Sequence, residues 1–298
     1  MERAKWLLET RPQFLILSVL LVAHGAMLAL WQGSFDWPRV LLAAVALVSL
    51  HASVNVLNDW HDYAKTGIDK ATNSTPFSGG SGFLPSGAIS PRGALVLGIG
   101  TLVLGCAIGV YLVSVSGWPL LAIGTVGVIA VVTYTPVLNR AGLGEFFAGL
   151  ALGTLPVVGT YFVLTGRIDA VAWLSGVPAG LLTYNLLLLN EFPDAEADAA
   201  GGRRHMVTLL GKRWARWLYA VVEVAVYLVV VFGVVFGTLT PWALLSLGAG
   251  FFAFQAIRGT LRHYDSFEEM IPVQGANVFA VLSTNALLAL GYLIARFA

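Results

Sequence analysis

One phrase closes two long apolar runs of this chain, as Leu57-Asn58-Asp59-Trp60-His61-Asp62 and as Leu189-Asn190-Glu191-Phe192-Pro193-Asp194. Both copies read Leu-Asn-acid-aromatic-x-Asp. Residues four apart lie on one face of a helix, so each Asn and the final Asp of its copy can hold one ion together. Two such faces predict a shared polyanionic ligand.

The composition is that of a chain whose main solvent is lipid. Apolar residues make up 57% of the sequence and charged residues only 11%, and the mean hydropathy is +0.80. Such values predict an integral membrane protein. A net charge of +1, spread along the chain, provides no basic surface for nucleic acid, which is therefore excluded as a partner.

Apolar stretches of roughly 20 residues predict nine membrane spans. Because the backbone must satisfy its own hydrogen bonds in lipid, each span is expected to be a helix. The predicted fold is an all-α membrane protein, a bundle of nine transmembrane helices with two Asp-rich cytoplasmic loops, in which residues 1–298 form a single domain. The predicted spans are 14–31, 38–57, 93–115, 119–138, 144–164, 170–189, 217–236, 240–257 and 273–295.

The distribution of Lys and Arg predicts the orientation of this bundle. With the N-terminus in the cytoplasm, only Arg39, Arg167 and Arg296 lie on the outer side, and the other 14 of the 17 basic residues lie inside. Cytoplasmic loops of membrane proteins carry such an excess. Both copies of the phrase then lie on the cytoplasmic side, and their helices run parallel to each other. The expected location of the protein is a bacterial or archaeal plasma membrane.

Carboxylates cluster where the two apolar runs end. Seven of the 16 acidic residues fall there, and this crowding is costly unless cations lie between them. The ligands are hard oxygen atoms without a Cys or His cluster, which favours Mg²⁺ completed by substrate phosphates. The seven are Asp59, Asp62, Asp69, Glu191, Asp194, Glu196 and Asp198.

Basic residues close to these carboxylates match a phosphorylated substrate. Lys65 and Lys70 follow the first copy of the phrase, Arg203 and Arg204 follow the second, and Arg140 lies on the short connection between the fourth and fifth spans. Guanidinium and ammonium groups are the usual donors to phosphate oxygens. We interpret the pattern as a site in which acidic side chains, a metal ion and basic side chains together bind one diphosphate.

These residues resemble a known family, the UbiA superfamily of intramembrane aromatic prenyltransferases. Asn58-Asp59-x-x-Asp62-Tyr63 with Gly67-x-Asp69 resembles the first motif of the branch that prenylates 1,4-dihydroxy-2-naphthoate in menaquinone biosynthesis. Asn190-x-x-x-Asp194-x-x-x-Asp198, followed by Gly202-Arg203-Arg204, resembles the second. The resemblance covers nearly the whole chain and implies a nine-helix fold.

The resemblance also implies roles for individual residues. Mg²⁺ would clamp a polyprenyl diphosphate between Asp62 and Asp194, and an aromatic acceptor would attack the allylic cation that forms. Asp69 and Tyr134 are candidates for steering or deprotonation. The implied metal ligands are Asn58, Asp59, Asp62, Asn190, Asp194 and Asp198; the implied diphosphate donors are Lys65, Lys70, Arg140, Arg203 and Arg204; the implied substrate contacts are Arg11 and Asn55.

Three alternatives remain open at this point. A related enzyme of the superfamily would prenylate 4-hydroxybenzoate, homogentisate, haem or a lipid. A transporter also has internal repeats, but these typically run inverted with charges at mid-membrane, whereas the two phrases run parallel at one surface. A CDP-alcohol-type lipid synthase also uses Mg²⁺ and paired acids, but its Asp pattern is concentrated in one stretch.

Overall fold

The computed structural model describes residues 2–67 and 75–298, and within these ranges the chain forms helices and short connections without a strand. Nine helices of these ranges are long and apolar enough to cross a membrane, which confirms the predicted fold class. The helices are α1 (Glu2–Glu9), α2 (Pro12–Trp31), α3 (Trp37–Thr66), α4 (Pro91–Ser116), α5 (Pro119–Ala141), α6 (Gly144–Thr165), α7 (Ala170–Ala200), α8 (Met206–Leu210), α9 (Lys212–Val235), α10 (Pro241–His263) and α11 (Phe267–Phe297).

Side-chain caps fix the beginnings of several spans. Asp36 accepts a hydrogen bond from the Arg39 backbone N–H before α3, Ser90 accepts one before α4 and Asp169 accepts one before α7. Each cap satisfies a backbone donor that has no partner within its helix. The local sequence therefore sets where these spans begin, close to the predicted positions.

Two helices continue past their apolar runs. The predicted spans end at residues 57 and 189, whereas α3 extends to Thr66 and α7 to Ala200. Phe192 is 1% exposed and packs with Leu188 and Tyr219 in a core at this end of the bundle. Residues 58–66 and 190–200, predicted to begin the polar loops, are therefore helical, and each Asn-x-x-x-Asp phrase lies on one helix face.

Close contacts between small residues bring α6 against α7. A Cβ atom added at Gly153 would lie 2.6 Å from the Gly180 Cα atom and 2.7 Å from the Ala179 carbonyl oxygen. Small residues at such crossings let helix backbones approach closely in a membrane. Large apolar side chains such as Val96, Val221 and Phe236 instead lie exposed on the outside of the bundle, as expected for lipid-facing surfaces.

Candidate active site

The two phrases meet at one end of the bundle, and Arg203 joins them. Its guanidinium contacts the Asp62 carboxylate, lies 3.0 Å from Asp198 Oδ1 and donates to Asn58 Oδ1 at 3.3 Å. Burial alone would lower the pKa of Arg203, but the neighbouring carboxylates of Asp62 and Asp198 raise it. Arg203 is thus a fixed cation between the ends of α3 and α7.

A cavity of about 260 Å³ begins at this polar end. Asp62 and Asp198 are buried, and one oxygen atom each of Asp62 and Asp194 is buried without a hydrogen-bond partner among the described residues. Asn190 Oδ1 accepts from Gln274 Nε2 at 3.3 Å. The structure therefore brings five of the predicted metal ligands into the lining of one cavity, namely Asn58, Asp62, Asn190, Asp194 and Asp198.

The rest of the cavity is apolar and extends between the helices. Its lining comes from α2, α3, α5, α6, α7 and α11, with Leu17, Leu50, Ala130, Leu186 and Val281 among the side chains that face it. Pockets with a few converging polar groups and a mainly apolar wall are typical of small-molecule sites. This arrangement provides one end for a charged group and a dry space for an apolar one.

The predicted substrate contacts Arg11 and Asn55 also line the cavity. Arg11 has left-handed backbone angles, φ 55° and ψ 61°, and its guanidinium donates to the Phe77 carbonyl oxygen at 3.4 Å. Asn55 donates to the Thr10 carbonyl oxygen at 3.0 Å. Arg11 reaches the cavity from the segment that connects α1 to α2, and Asn55 reaches it from α3.

Residues 75–82 form a turn over the polar end. The Thr75 hydroxyl oxygen accepts from the Ser78 backbone N–H at 2.9 Å, and Gly79 and Gly80 have positive φ angles of 83° and 76°. Such angles are accessible to glycine without strain. Phe77, Ser78 and both glycines line the cavity, so this Gly/Ser-rich run lies at the site.

Asp59 lies apart from the predicted metal ligands that line the cavity. It is not among the described residues that line the cavity, and its Oδ2 atom accepts from the Ser81 backbone N–H at 2.7 Å. The Ser81 hydroxyl donates to Glu9 Oε2 at 2.6 Å. Adjacent helix residues point in different directions, so Asp59 faces the turn while Asn58 and Asp62 face the cavity. This hydrogen bond connects α3 to the turn.

The neighbouring carboxyl group of Glu9 is fully buried. Burial raises its pKa from an ordinary value of 4.5 to about 7, against the lowering effect of the hydrogen bond from Ser81. The nearby charge of Asp59 acts in the same direction as burial. The turn is therefore tied to the bundle through a carboxyl group that titrates near neutral pH.

The predicted diphosphate donors are distributed unequally. Arg203 lines the cavity, whereas Lys65, Arg140 and Arg204 are exposed and are not part of its described lining. Lys65 lies 5.8 Å from the centre of the Trp60 ring, and Arg204 makes a backbone hydrogen bond to Asn139. The remaining donor, Lys70, and the predicted catalytic residue Asp69 lie outside the described residues.

Tyr134 reaches the cavity from a π-helical turn, Tyr134–Leu138, within α5. A second π-helical turn, Asp62–Thr66, ends α3. Thr135, in the first turn, donates to Asn58 Oδ1 at 2.9 Å. Such turns are rare in helices and often occur at functional sites. Here one turn contains Asp62 and the other contains Tyr134, and the hydrogen bond from Thr135 to Asn58 joins their two helices.

Sequence reasoning gave Glu145 and His205 no site role and left Glu191 out of the predicted metal ligands, yet Glu191 and His205 line the cavity. Glu145, Glu191 and His205 are buried and meet within a few ångströms of one another. The sequence contained a partial indication of this cluster. Glu191 lies in the second phrase, and Glu145 follows the short connection between the fourth and fifth predicted spans. His205 has no partner at metal-ligand spacing along the chain, so only the fold reveals the cluster.

The chain is similar to known proteins in sequence and structure. It matches the UbiA prenyltransferase family over residues 17–269. The 1,4-dihydroxy-2-naphthoate octaprenyltransferase of Escherichia coli (strain K12) is 30% identical, with 98% of this chain and 96% of that protein covered. The enzyme of that name from Bacillus subtilis (strain 168) is 27% identical, with 97% and 92% covered.

Solved structures share the fold at lower identity. A digeranylgeranylglyceryl phosphate synthase superposes with a TM-score of 0.68 at 17% identity, covering 99% of this chain and 100% of the other. A UbiA homolog from Archaeoglobus fulgidus bound to GPP and Mg²⁺ superposes with a TM-score of 0.61 at 13% identity, covering 95% and 99%. The likeness shows a common arrangement of helices.

Proposed function

Because the chain belongs to the UbiA prenyltransferase family, we propose that it transfers a polyprenyl group from a polyprenyl diphosphate to 1,4-dihydroxy-2-naphthoate, in menaquinone biosynthesis. The observation that carries this proposal is the meeting of both Asn-x-x-x-Asp faces at the polar end of an apolar cavity. The polar end suits a diphosphate and the apolar body suits a prenyl chain. The named relatives from Escherichia coli and Bacillus subtilis support the choice of acceptor.

The residues at the polar end fit Mg²⁺. Their donor atoms are hard oxygens, which Mg²⁺ prefers, and Asp62 Oδ1 and Asp194 Oδ1 are buried with no hydrogen-bond partner in the part of the chain that the structure describes. We propose that Asp62 and Asp194 hold the ion together with Asn58, Asn190 and Asp198. When bound, Mg²⁺ supplies positive charge that stabilises the departing diphosphate.

Arg203 supplies the protein's own cation. Asp62 and Asp198 hold its guanidinium in place, and its five N–H donors match the oxygen atoms of a phosphate group. As the allylic C–O bond breaks, its electron pair moves to the diphosphate, and a preorganised cation stabilises that developing charge. We therefore assign diphosphate binding to Arg203 and not to the exposed Lys65, Arg140 and Arg204.

The acceptor ring would lie next to Tyr134, Phe77 and Arg11, which all line the cavity. A ring carbon attacks the allylic cation to form the new C–C bond, the ring proton leaves, and the carboxylate departs as CO₂ with a proton taking its place. Arg11 is the proposed partner of the acceptor carboxylate, and Tyr134 the proposed steering group. The apolar lining excludes water, which would otherwise capture the cation.

A prenyl-transfer assay tests this proposal. Protein purified into lipid nanodiscs would receive radiolabelled geranylgeranyl diphosphate, with Mg²⁺ or a chelator and with naphthoate, 4-hydroxybenzoate or homogentisate as acceptor. Mg²⁺-dependent product with the naphthoate supports both the chemistry and the acceptor. If product formed only with another acceptor, the naphthoate assignment would be wrong. Equal turnover with Mg²⁺ and with the chelator would contradict the proposed Mg²⁺ site.

The proposed location is the plasma membrane, with the polar end facing the cytoplasm. The excess of Lys and Arg on this side supports that orientation. The diphosphate headgroup of the donor and the aromatic acid would then reach the polar end from the cytoplasmic side, and the prenylated product would leave into the bilayer.

A further inference from the structure

Glu145, Glu191 and His205 form a compact group beside the diphosphate site. Each offers one ligand atom, and the three atoms lie within 4.8 Å of one another. The residues come from different elements, namely the first turn of α6, the middle of the second phrase on α7 and the residue before α8. Their exposed fractions are 0%, 8% and 4%, so the group is removed from bulk water.

Several polar atoms of this group have no hydrogen-bond partner among the described residues. Glu145 Oε1 accepts from the Met206 backbone N–H at 2.5 Å, whereas Glu145 Oε2, Glu191 Oε2 and both ring nitrogens of His205 have none there. A buried polar atom without a partner costs about 1–3 kcal/mol, and two neighbouring buried carboxylates repel each other. A bound cation would satisfy these atoms and remove the repulsion.

The separation between His205 and Glu191 matches that of two ligands around a small metal ion. His205 Nδ1 lies 3.4 Å from Glu191 Oε2, which is longer than a charge-assisted hydrogen bond of about 2.7–2.9 Å. Ligand atoms that surround an ion tetrahedrally at about 2.1 Å are roughly 3.4 Å apart. His205 Nε2 lies 3.4 Å from Asp198 Oδ2, and the second nitrogen of a metal-bound His usually faces a carboxylate in this way.

We propose that Glu145, Glu191 and His205 bind a Zn²⁺ ion at a site separate from the Mg²⁺ clamp. One imidazole and two carboxylates are a ligand set that Zn²⁺ accepts, whereas Mg²⁺ prefers oxygen ligands alone. Glu191 and His205 also line the cavity, so the bound ion would lie beside it.

Zinc binding without any diphosphate tests this site. The purified protein would be stripped with a chelator, loaded with Zn²⁺ alone, desalted and analysed for bound metal, with the melting temperature as a second readout. We expect the wild type to retain about one Zn²⁺ per chain and to melt at a higher temperature when loaded, because a ligand that binds the folded state stabilises it. Separate His205→Gln, Glu191→Gln and Glu145→Gln variants should bind Zn²⁺ at least about tenfold more weakly and lose the temperature shift.

Two control variants show whether Zn²⁺ binds at this cluster or elsewhere on the chain. Asp194→Asn alters the proposed Mg²⁺ clamp, and His263→Gln alters the exposed pair in which His263 Nδ1 lies 2.5 Å from Glu269 Oε2. Both should retain Zn²⁺ like the wild type. Absence of Zn²⁺ from the wild type, retention by all three cluster variants, or loss with Asp194→Asn would overturn the proposal. The proposed function does not depend on this result, because the prenyl-transfer assay measures it separately.

Discussion

Arg203 contacts the carboxylate of Asp62 although 141 residues separate them in the chain. This ion pair joins the end of α3 to the segment that follows α7, and both side chains are largely buried. Both also line the cavity, so one contact contributes to the fold and to the site. The pair therefore provides a way to separate structural from catalytic effects by mutation.

Removing the charge of either clamp residue should abolish most turnover. We expect Asp62→Asn and Asp194→Asn each to lower the rate of prenyl transfer by about 100-fold or more, since each removes charge stabilisation of the departing diphosphate. Initial rates with radiolabelled geranylgeranyl diphosphate measure this, and gel filtration shows whether the fold is intact. Lys212→Ala is the control, because Lys212 pairs with the exposed Asp265, at 3.7 Å. Near-normal rates in both Asn variants would contradict the clamp.

Arg203 and Arg204 are adjacent but should behave differently. Arg203→Gln leaves Asp62 and Asp198 buried without their cation, and losing one partner of a buried pair costs about 3 kcal/mol or more. For a chain of this size we expect the melting temperature in Mg²⁺-free buffer to fall by roughly 5–10 °C. Arg204→Gln, on an exposed side chain, should change it little. Equal melting temperatures for the two variants would mean that the ion pair contributes nothing to the fold.

The buried carboxyl group of Glu9 should make stability depend on pH. Its pKa of about 7 in the folded protein exceeds the ordinary value of 4.5, so the folded state holds a proton that the unfolded state has released between these values. The stabilisation is complete below pH 4.5 and is lost as the pH rises through the folded-state pKa, by an amount on the order of 3 kcal/mol.

Glu9→Gln tests this pH dependence without removing the acceptor of the Ser81 hydrogen bond. We expect the variant to lose less thermal stability than the wild type between about pH 5 and about pH 7, because over this interval the folded wild type keeps a proton that the unfolded chain has released. Glu268→Gln, on an exposed side chain of α11, should follow the wild type. Parallel curves for Glu9→Gln and the wild type would exclude Glu9 as the titrating group.

The α6–α7 crossing predicts unequal effects of two glycine substitutions. At Gly153 an added methyl group meets the Gly180 backbone at 2.6 Å, whereas at Gly124 no described atom lies within 4 Å. Overpacking costs about 1–3 kcal/mol, so Gly153→Ala should lower the melting temperature and Gly124→Ala should leave it unchanged or raise it. An unchanged melting temperature for Gly153→Ala would show that α6 and α7 can move apart without loss of stability.

The sequence alone determined the fold class, the nine spans and the family. Apolar runs of membrane-spanning length leave the backbone no alternative to helices in lipid, and the phrases at residues 57–62 and 189–194 indicated the UbiA resemblance that the family match confirms. The spacing of Asn and Asp four residues apart also placed each pair on one helix face, since helical geometry is local.

Only the tertiary structure decided which of the charged residues meet. Arg203 faces the cavity while Arg204 is exposed, and Asp59 turns to Ser81 while Asp62 contacts Arg203. The cluster of Glu145, Glu191 and His205 arises because three elements distant in sequence converge. Helical periodicity fixes the direction of a side chain relative to its own helix, but the partner it reaches depends on how the helices pack.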